Sequence, residues 1–397
     1  MAIRIGGHET FLIRFGIYFN IIQYNSDTIT DRKFLYWRYI MAYPFRNLVF
    51  EGGGVKGSAY IGAIRALNEE GILPEIQRFG GTSAGAITAL LLGLSIPFAD
   101  LVKIHKDMNF KAFKDDDFSI VQDNIRLFFD GFGIYKGDFF TEWVGKIVEK
   151  WTGSKDTTFQ QLYDKTGKDV FFQGTNVSTH ELRTFSRETT PDVPLVVAVR
   201  ISMSIPFFFK SVEWDKDYYV DGGVLDNYPI RLFDRKSFVN KEEHFTTTDT
   251  IDEVNKLISN IEGHSTLRSL HTKYNASFFD PTDEIVYNKE TLGFRLESQA
   301  EVAMLKHIAT STEHHIGHSL IHFAWNLSQT MIKGHESGKT TKEDAARTVF
   351  INTFFTSSFN FDITEEEKKT LMNSGYTSTK DYLHQFNTSE VKLFNRP

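Results

Sequence analysis

Residues 47–94 contain two predicted short strands, and each is followed by a turn of small residues and then by a predicted helix. The first strand, 48–50, precedes a glycine cluster and a set of apolar residues at helical spacing over 59–67. The second, 76–80, precedes a small-residue turn and an apolar helix that begins at Ala84. Strand, glycine turn and helix, twice in succession, predict an α/β fold with a parallel sheet.

One motif that could carry chemistry is Gly81-Thr82-Ser83-Ala84-Gly85, a G-x-S-x-G sequence between a predicted strand and a predicted helix. Small residues beside a serine permit the sharp turn that exposes a nucleophilic hydroxyl at a helix N-terminus. The helix dipole favours negative charge at that position. In this setting we interpret Ser83 as a nucleophile, although the pentapeptide alone also fits an ordinary turn.

A glycine-rich loop, Gly52-Gly53-Gly54-Val55-Lys56-Gly57, joins the first strand to its helix. Consecutive glycines let backbone N–H groups converge on an oxyanion or a phosphate. The loop also satisfies G-x-G-x-x-G, the dinucleotide-binding fingerprint. That fingerprint requires an acidic residue at the end of the second strand, where this chain has the serine turn. An oxyanion hole is therefore favoured, and dinucleotide binding is the alternative.

The third motif is Val220-Asp221-Gly222-Gly223, in which an apolar run ends in an aspartate before two glycines. An acid at the end of a strand, with no bulk after it, can approach a hydroxyl on another loop. Asp-Gly is also common turn chemistry, so this motif gains weight only in combination with the other two.

In this order the three motifs resemble those of the patatin-like phospholipases, whose signature is G-G-G-x-[RK]-G, then G-x-S-x-G, then D-G-[GA]. The resemblance continues in 202–209, in Asn227-Tyr228-Pro229, in 291–296 and in 361–364, and it covers roughly residues 47–390. Glu51 stands where the family often has aspartate, and lysine stands at position 56 where arginine is commoner. Neither variation touches the proposed catalytic atoms.

The resemblance implies a three-layer α/β/α core with a central, mostly parallel sheet. The expected organisation is an N-terminal extension (1–46), a patatin-like catalytic domain (47–297) and a helical C-terminal region (298–397). Periodicity and composition predict further elements in these regions: strands at 170–172, 196–199 and 218–220, loops at 111–118 and 240–265, and helices at 298–333, 365–373 and 378–386.

The resemblance also implies the roles of the site residues. Ser83 is the expected nucleophile and Asp221 its base, without a catalytic histidine. Backbone N–H groups of Gly52, Gly53 and Gly54 are the expected oxyanion donors. Lys56 is a candidate contact for a lipid head group, although an exposed lysine beside a turn is more often only solvated. No metal and no cofactor are implied.

The expected substrate is an acyl ester of a glycerophospholipid at a membrane surface, cleaved as by a phospholipase A through an acyl-enzyme. Similar bacterial effectors use their extensions for host partners, so a host protein activator is expected by analogy. The other functional class is an interaction protein that keeps the fold with little turnover. An intact signature favours activity, since a pseudoenzyme would often have lost Ser83 or Asp221.

The competing serine hydrolase class is the α/β-hydrolases, in which the order is serine, acid, histidine. Gly53 lies about 30 residues before Ser83, whereas an α/β-hydrolase usually has its oxyanion loop farther upstream. Histidines after Asp221 are plentiful, so their number does not decide between the classes. Four histidines lie on a predicted helix: His314, His315, His318 and His322. We interpret them as a solvent-exposed stripe and not as a metal site, because no carboxylate completes an HExxH pattern.

Composition excludes several classes of function. The chain has no cysteine, so disulfides, cysteine-ligated zinc and thiol nucleophiles are excluded. Its formal net charge of −7 argues against broad nucleic-acid binding. The apolar stretches at 11–22 and 84–99 are interrupted by Arg14 and Pro97, so neither a signal peptide nor a transmembrane helix is predicted. We expect a soluble protein, cytoplasmic or secreted as an effector, that associates peripherally with membranes.

Overall fold

The computed structural model describes residues 2–5, 8–15, 18–23, 43–115, 132–247, 283–298, 341–358 and 360–388, together with Leu327 and Thr330. Two compact units are distinguished, Met1–Tyr43 and Pro44–Pro397. The first contains strands β1 (Ala2–Ile5), β2 (His8–Phe15) and β3 (Tyr18–Gln23). These strands form an antiparallel sheet in the order β1-β2-β3.

An eight-stranded sheet forms the centre of the second unit. Its strands are β4 (Asn47–Phe50), β5 (Arg78–Gly81), β7 (Asp169–Asn176), β8 (Glu181–Phe185), β10 (Val212–Trp214), β11 (Asp217–Asp221), β14 (Thr291–Glu297) and β15 (Thr348–Asn352). The order is β10-β11-β7-β5-β4-β14-β15, and β8 pairs with β7. Strands β7, β5, β4, β14 and β15 are parallel, whereas β8, β10 and β11 are antiparallel to their neighbours.

Two small two-stranded sheets accompany the main sheet. One pairs β6 (Gly133–Tyr135) with β9 (Phe207–Phe209), and the other pairs β12 (Phe245–Thr247) with β13 (Val286–Asn288). The described helices are α1 (Ala59–Glu69), α2 (Ala84–Gly93), α3 (Phe98–Asp107), α4 (Asp138–Thr152), α5 (Phe159–Thr166), α6 (Leu195–Ser202), α7 (Gly223–Asp226), α8 (Lys342–Ala346) and α9 (Glu365–Thr388).

Strand β4 is buried on both faces, as its continuous apolar run predicts. On one face the ring of Phe50 lies 5.1 Å from the Tyr60 ring of α1. On the other face Val49 packs with Phe171 and Phe233 in a buried cluster. Because β4, β5 and β14 are parallel, they end at the same edge of the sheet, and the turns after β4 and β5 carry two of the three predicted motifs.

Helices α1 and α9 cross with their backbones in close contact. A Cβ atom on Gly62 would lie 1.7 Å from the Met372 carbonyl oxygen, and one on Gly375 would lie 1.9 Å from the Ala59 carbonyl oxygen. Only glycine permits this approach. The C-terminal helix is thereby packed on the helix that follows the glycine-rich loop.

The predicted α/β/α arrangement with a mostly parallel sheet and a helical C-terminal region is confirmed. The C-terminal region also contributes a strand, β15, to one edge of the sheet. Among the described residues, none of the helices combines the length and the hydropathy needed to cross a bilayer. The helix predicted over 298–333 and much of the loop predicted over 240–265 lie outside the described residues.

Two predictions of secondary structure are wrong. The strand predicted at 196–199 is part of helix α6, which begins after Pro194 and is buried on nearly every side. A continuous apolar run has no alternation that could distinguish a strand from a fully buried helix. The two helices predicted at 365–373 and 378–386 are one helix, α9. Gly375 does not break it, because this glycine is the contact point with α1.

Candidate active site

Strand β7 brings Ser83 and Asp221 together. Gly81, the last residue of β5, pairs with Phe172 of β7. Strand β11 pairs with the next residues along the same edge of β7. It runs antiparallel to β7, so Asp221 lies opposite Gly174. The turn that follows β5 and the carboxyl end of β11 therefore meet, and they carry the predicted nucleophile and the predicted base.

The turn at Ser83 is strained. Ser83 has φ 54° and ψ −121°, immediately before α2, and a positive φ is uncommon for a residue other than glycine. Its N–H donates to the Ser202 Oγ at 3.0 Å, and Ser83 as a whole is 7% exposed. Gly85 allows the close packing of the turn, since a Cβ there would lie 2.1 Å from the Phe50 carbonyl oxygen. This is the backbone form expected of a serine nucleophile between strand and helix.

Asp221 is almost fully buried, at 1% exposure. Its Oδ1 accepts the Gly223 N–H at 2.7 Å, and its own N–H donates to the Ser204 carbonyl oxygen at 2.8 Å. Its buried Oδ2 makes no hydrogen bond to a neighbour with full geometry among the described residues. The carboxylate is thus fixed in position with one oxygen left for a proton transfer.

Burial raises the pKa of Asp221 to about 7, and the Gly223 N–H and the Ser83 hydroxyl oppose part of that rise. An ordinary aspartate is too weak a base for a serine hydroxyl near neutral pH. A carboxylate with a pKa near the working pH is better matched to general-base catalysis. The burial of Asp221 therefore explains how an aspartate can act as the base for Ser83, which the sequence alone did not explain.

The N–H of Gly52 already makes a backbone hydrogen bond, so its role as an oxyanion donor stays a prediction that would require this bond to break. It donates to the Asn227 carbonyl oxygen at 3.0 Å, and the Asn227 Nδ2 donates back to the Gly52 carbonyl oxygen at 3.2 Å. A Cβ atom on Gly52 would lie 2.2 Å from the Asn227 Oδ1 and 3.2 Å from the Ser83 Cβ. Gly52 thus permits the glycine-rich loop to lie against Ser83.

Gly53 and Gly54 differ from Gly52, because among the described residues neither of their N–H groups donates to an acceptor. Gly54 has φ +55°, and a Cβ there would lie 2.0 Å from the Ser358 carbonyl oxygen, which accepts the Val55 N–H at 2.9 Å. A Cβ on Gly53 would lie 2.5 Å from the Leu296 Cδ1. The loop is therefore shaped by β14 and by the segment that follows β15.

Gly54→Ala is expected to lower kcat on a soluble ester by about 10²-fold or more, the usual effect of losing an oxyanion donor. The added Cβ would displace the loop from the Ser358 carbonyl oxygen. Gly167→Ala is the matched control, because Gly167 has φ +67° with nothing within 4 Å of an added Cβ. Steady-state kinetics on both folded variants decide the point. Equal kcat values would show that the shape of this loop does not matter for turnover.

Glu51 fixes the start of the glycine-rich loop. This carboxylate is 2% exposed, and its Oε2 accepts the Leu296 N–H at 2.5 Å. The Nε of Arg295 lies 3.5 Å from Oε1, and the Tyr60 hydroxyl donates to the Glu51 carbonyl oxygen at 2.6 Å. Sequence reasoning noted Glu51 only as a variation on the family pattern. Its partners on β14 are far away in the sequence, so no local pattern could reveal them.

Arg200 is a further supporting residue that sequence reasoning missed. It is 7% exposed on α6, it donates to the Lys136 and Lys210 carbonyl oxygens at 2.6 and 3.2 Å, and it hydrogen-bonds the Ser204 Oγ. Burial lowers the pKa of Arg200 to about 10. Since the Ser204 carbonyl holds the Asp221 N–H, Arg200 stabilises the segment that positions the base. The sequence signal for this role was a charged residue, Arg200, inside an apolar run.

Lys56 lies in a short 3₁₀ turn, Gly54–Ser58, and its N–H donates to the Gly53 carbonyl oxygen at 3.1 Å. Its contact with a head group stays a prediction. The hydrogen bonds described above for Ser83 and Asp221 involve no histidine, and the buried His244 pairs with Glu290 at 2.7 Å near the amino end of β14. The histidine stripe at 314–322 lies outside the described residues.

Comparison with known proteins matches residues 48–234 to the patatin-like phospholipase family. An uncharacterised protein of Acanthamoeba polyphaga mimivirus is 32% identical over 48% of this chain and 61% of its own length. A protein of Invertebrate iridescent virus 6 named as a probable lipid hydrolase is 27% identical over 47% of this chain and 63% of its own length. The matched region thus spans about three fifths of these relatives.

Among solved structures, VipD from Legionella pneumophila superposes with a TM-score of 0.51 over 86% of this chain and 67% of its own. The two sequences are 16% identical, so this likeness concerns the fold alone. It extends well beyond the segment of 48–234, in agreement with the packing of β14, β15 and α9 on the same core.

Proposed function

We propose that this chain, whose residues 48–234 are a patatin-like phospholipase domain, is a lipid acyl hydrolase of the phospholipase A type that uses a Ser83–Asp221 dyad. The observation that carries the proposal is the meeting of a strained serine turn with a buried aspartate whose pKa is about 7. The likeness to a relative named as a probable lipid hydrolase supports a lipid substrate.

In the first half-reaction the ionised Asp221 accepts the proton of Ser83 while the Ser83 Oγ attacks the ester carbonyl. The N–H groups of Gly53 and Gly54 stabilise the oxyanion of the tetrahedral intermediate. When the carbon–oxygen bond breaks, Asp221 returns the proton to the leaving lysolipid. An acyl-enzyme on Ser83 remains.

In the second half-reaction water replaces the lysolipid. Asp221 accepts a proton from the water as its oxygen attacks the acyl carbonyl, and the same N–H groups stabilise the second oxyanion. Collapse of this intermediate releases the fatty acid, and the Ser83 Oγ regains its proton from Asp221. Each step uses one base and no histidine.

Lipid analysis of mixed phospholipid vesicles tests the activity. The wild-type protein should release fatty acid and lysolipid, and Ser83→Ala should release neither. Ser95→Ala is the control, since Ser95 also has a positive φ, 55°, but lies after α2. Parallel reactions with host-cell extract test the proposed activator. No product under either condition, or equal product from Ser83→Ala, would refute the proposal.

A further inference from the structure

The loop after β15 carries two exposed phenylalanines beside the candidate active site. Phe355 is 82% exposed, more than any other large hydrophobic side chain in the described residues, and Phe354 is 36% exposed. We propose that Phe354 and Phe355 form a docking tip that inserts into the surface of a phospholipid bilayer. This inference rests on the proposed function, because it names the surface from which that site takes its substrate.

The docking tip is held in place by its own backbone. Phe354 has φ +55°, which a bulky residue rarely adopts. Its N–H donates to the Asn352 Oδ1 at 2.8 Å, the Thr356 N–H donates to the Thr353 carbonyl oxygen at 3.1 Å, and the Ser374 Oγ donates to the Asn352 carbonyl oxygen at 2.6 Å. Phe355 is therefore presented by an ordered loop whose form is fixed on both sides.

The docking tip lies at the edge of the sheet where the site lies. Strand β15 is parallel to β14, and β14 is parallel to β4, so the segments after β15 and β4 emerge at the same edge. The Ser358 carbonyl oxygen accepts the Val55 N–H at 2.9 Å. Ser358 is three residues from Phe355, so the tip lies within roughly 10 Å of the glycine-rich loop along the chain.

A second pair of exposed aromatic side chains lies on the other side of the site. Phe132 is 53% exposed and Tyr218 is 40% exposed, and their ring centroids are 6.2 Å apart. Tyr218 belongs to β11, the strand that ends in Asp221. Aromatic side chains are favoured at membrane–water interfaces. Exposed aromatics after β15 and at β11 thus lie on both sides of the strands that carry the site.

Three lysines at the segment that follows the tip each lie within 4 Å of a carboxylate, which favours a zwitterionic surface over a strongly charged partner. Lys111 and Lys114 lie 3.3 and 3.2 Å from the Asp362 carboxylate, and Lys368 lies 2.8 Å from Glu365. A docking surface without a large excess of charge depends mainly on apolar insertion, and such binding responds weakly to salt. Phosphatidylcholine, a zwitterionic head group, is therefore the surface that the proposal names.

Binding to phosphatidylcholine vesicles tests the docking tip without any need for turnover. The Ser83→Ala protein is sedimented with vesicles and compared with the same protein carrying Phe355→Ser. Loss of this aromatic should lower the partition coefficient roughly tenfold, or ~1.4 kcal/mol. Ile285→Ser is the matched control, because Ile285 is 58% exposed but precedes β13, near the amino end of β14. It should leave binding unchanged.

Three results would overturn the proposal. They are binding of Phe355→Ser as tight as that of its parent, a steep fall of binding with salt, and an equal loss of binding in Ile285→Ser. In the protein that retains Ser83, Phe355→Ser should keep its hydrolysis of a soluble short-chain ester. Loss of that hydrolysis would show that the loop shapes the glycine-rich loop instead. Vesicle binding that depends on Phe355, in a protein that hydrolyses no lipid, would keep the docking tip and refute the proposed function.

Discussion

Asp221→Asn is expected to abolish hydrolysis and, above neutral pH, to make the fold more stable. The asparagine cannot accept the Ser83 proton, and general-base catalysis contributes about 10²–10⁴-fold, so kcat should fall by at least ~10². The gain in stability arises because wild-type Asp221 must ionise in a buried site where few groups stabilise its charge. Activity and stability are therefore in conflict at this residue.

The direction of the pH dependence follows from the raised pKa. Burial raises the pKa of Asp221 from 3.8 to about 7, so between these values the folded state binds more protons than the unfolded state. The free energy of unfolding therefore falls as pH rises through this window and stays lower above it. A shift of about three pH units corresponds to at most ~4 kcal/mol. Asp221→Asn should show its largest advantage at about pH 8 and none near pH 4.

Urea denaturation at several pH values measures this difference. Asp217→Asn is the matched control in the same strand, because Asp217 lies at the exposed end of β11 and accepts the Asn176 Nδ2 at 2.8 Å. That substitution should give no stabilisation at about pH 8. If Asp221→Asn were less stable than the wild type at that pH, the carboxylate would be better solvated than its burial indicates, and our explanation of its basicity would be wrong.

Arg347→Ala is expected to lower the free energy of unfolding by about 3–5 kcal/mol. The Arg347 guanidinium is fully buried and lies 2.5 and 2.6 Å from the two Asp234 carboxylate oxygens and 2.8 Å from the Asp344 Oδ1. Burial opposes the charge of Arg347, but these carboxylates outweigh it and raise its pKa. Removing the cation leaves two buried carboxylates, and within the part of the chain that the structure describes only Asp344 keeps another arginine, Arg231.

The control for Arg347→Ala is a substitution that breaks an exposed ion pair. Lys146 lies 2.6 Å from Glu142 on α4, with both side chains mostly exposed, and Lys146→Ala should cost less than about 1 kcal/mol. Arg347 lies at the amino end of β15, away from Ser83, so the folded fraction of the Arg347→Ala protein should keep its kcat. Chemical denaturation of both variants checks the ranking. Equal and small losses would mean that the buried cluster contributes little.

The candidate site residues could be proposed from the sequence because their motifs are local. Each glycine cluster follows a strand, and backbone sterics alone require small residues around Ser83. The sequence could not reveal how the glycine-rich loop is held, because that depends on contacts between segments far apart in the chain. The Asn227 carbonyl occupies the Gly52 N–H, and the Ser358 carbonyl shapes the turn at Gly54. No spacing rule relates these pairs.

The fold was predictable where apolar runs were flanked by glycine turns, and less so where burial was complete. Helix α6 is rich in β-branched residues that favour strands, but its packing within the core overrides that preference. The basicity of Asp221 was also beyond the sequence, because it depends on the degree of burial. A carboxylate in a D-G-G turn on the surface would have an ordinary pKa.

The pH dependence of covalent labelling at Ser83 tests the dyad most directly. A long-chain fluorophosphonate should add once to the wild-type protein, at Ser83, with a rate that rises with pH and reaches half its maximum near pH 7, the pKa of Asp221. Asp221→Asn should label at least ~10²-fold more slowly, without that rise. Labelling at another residue, or an unchanged rate and pH profile in Asp221→Asn, would contradict the account.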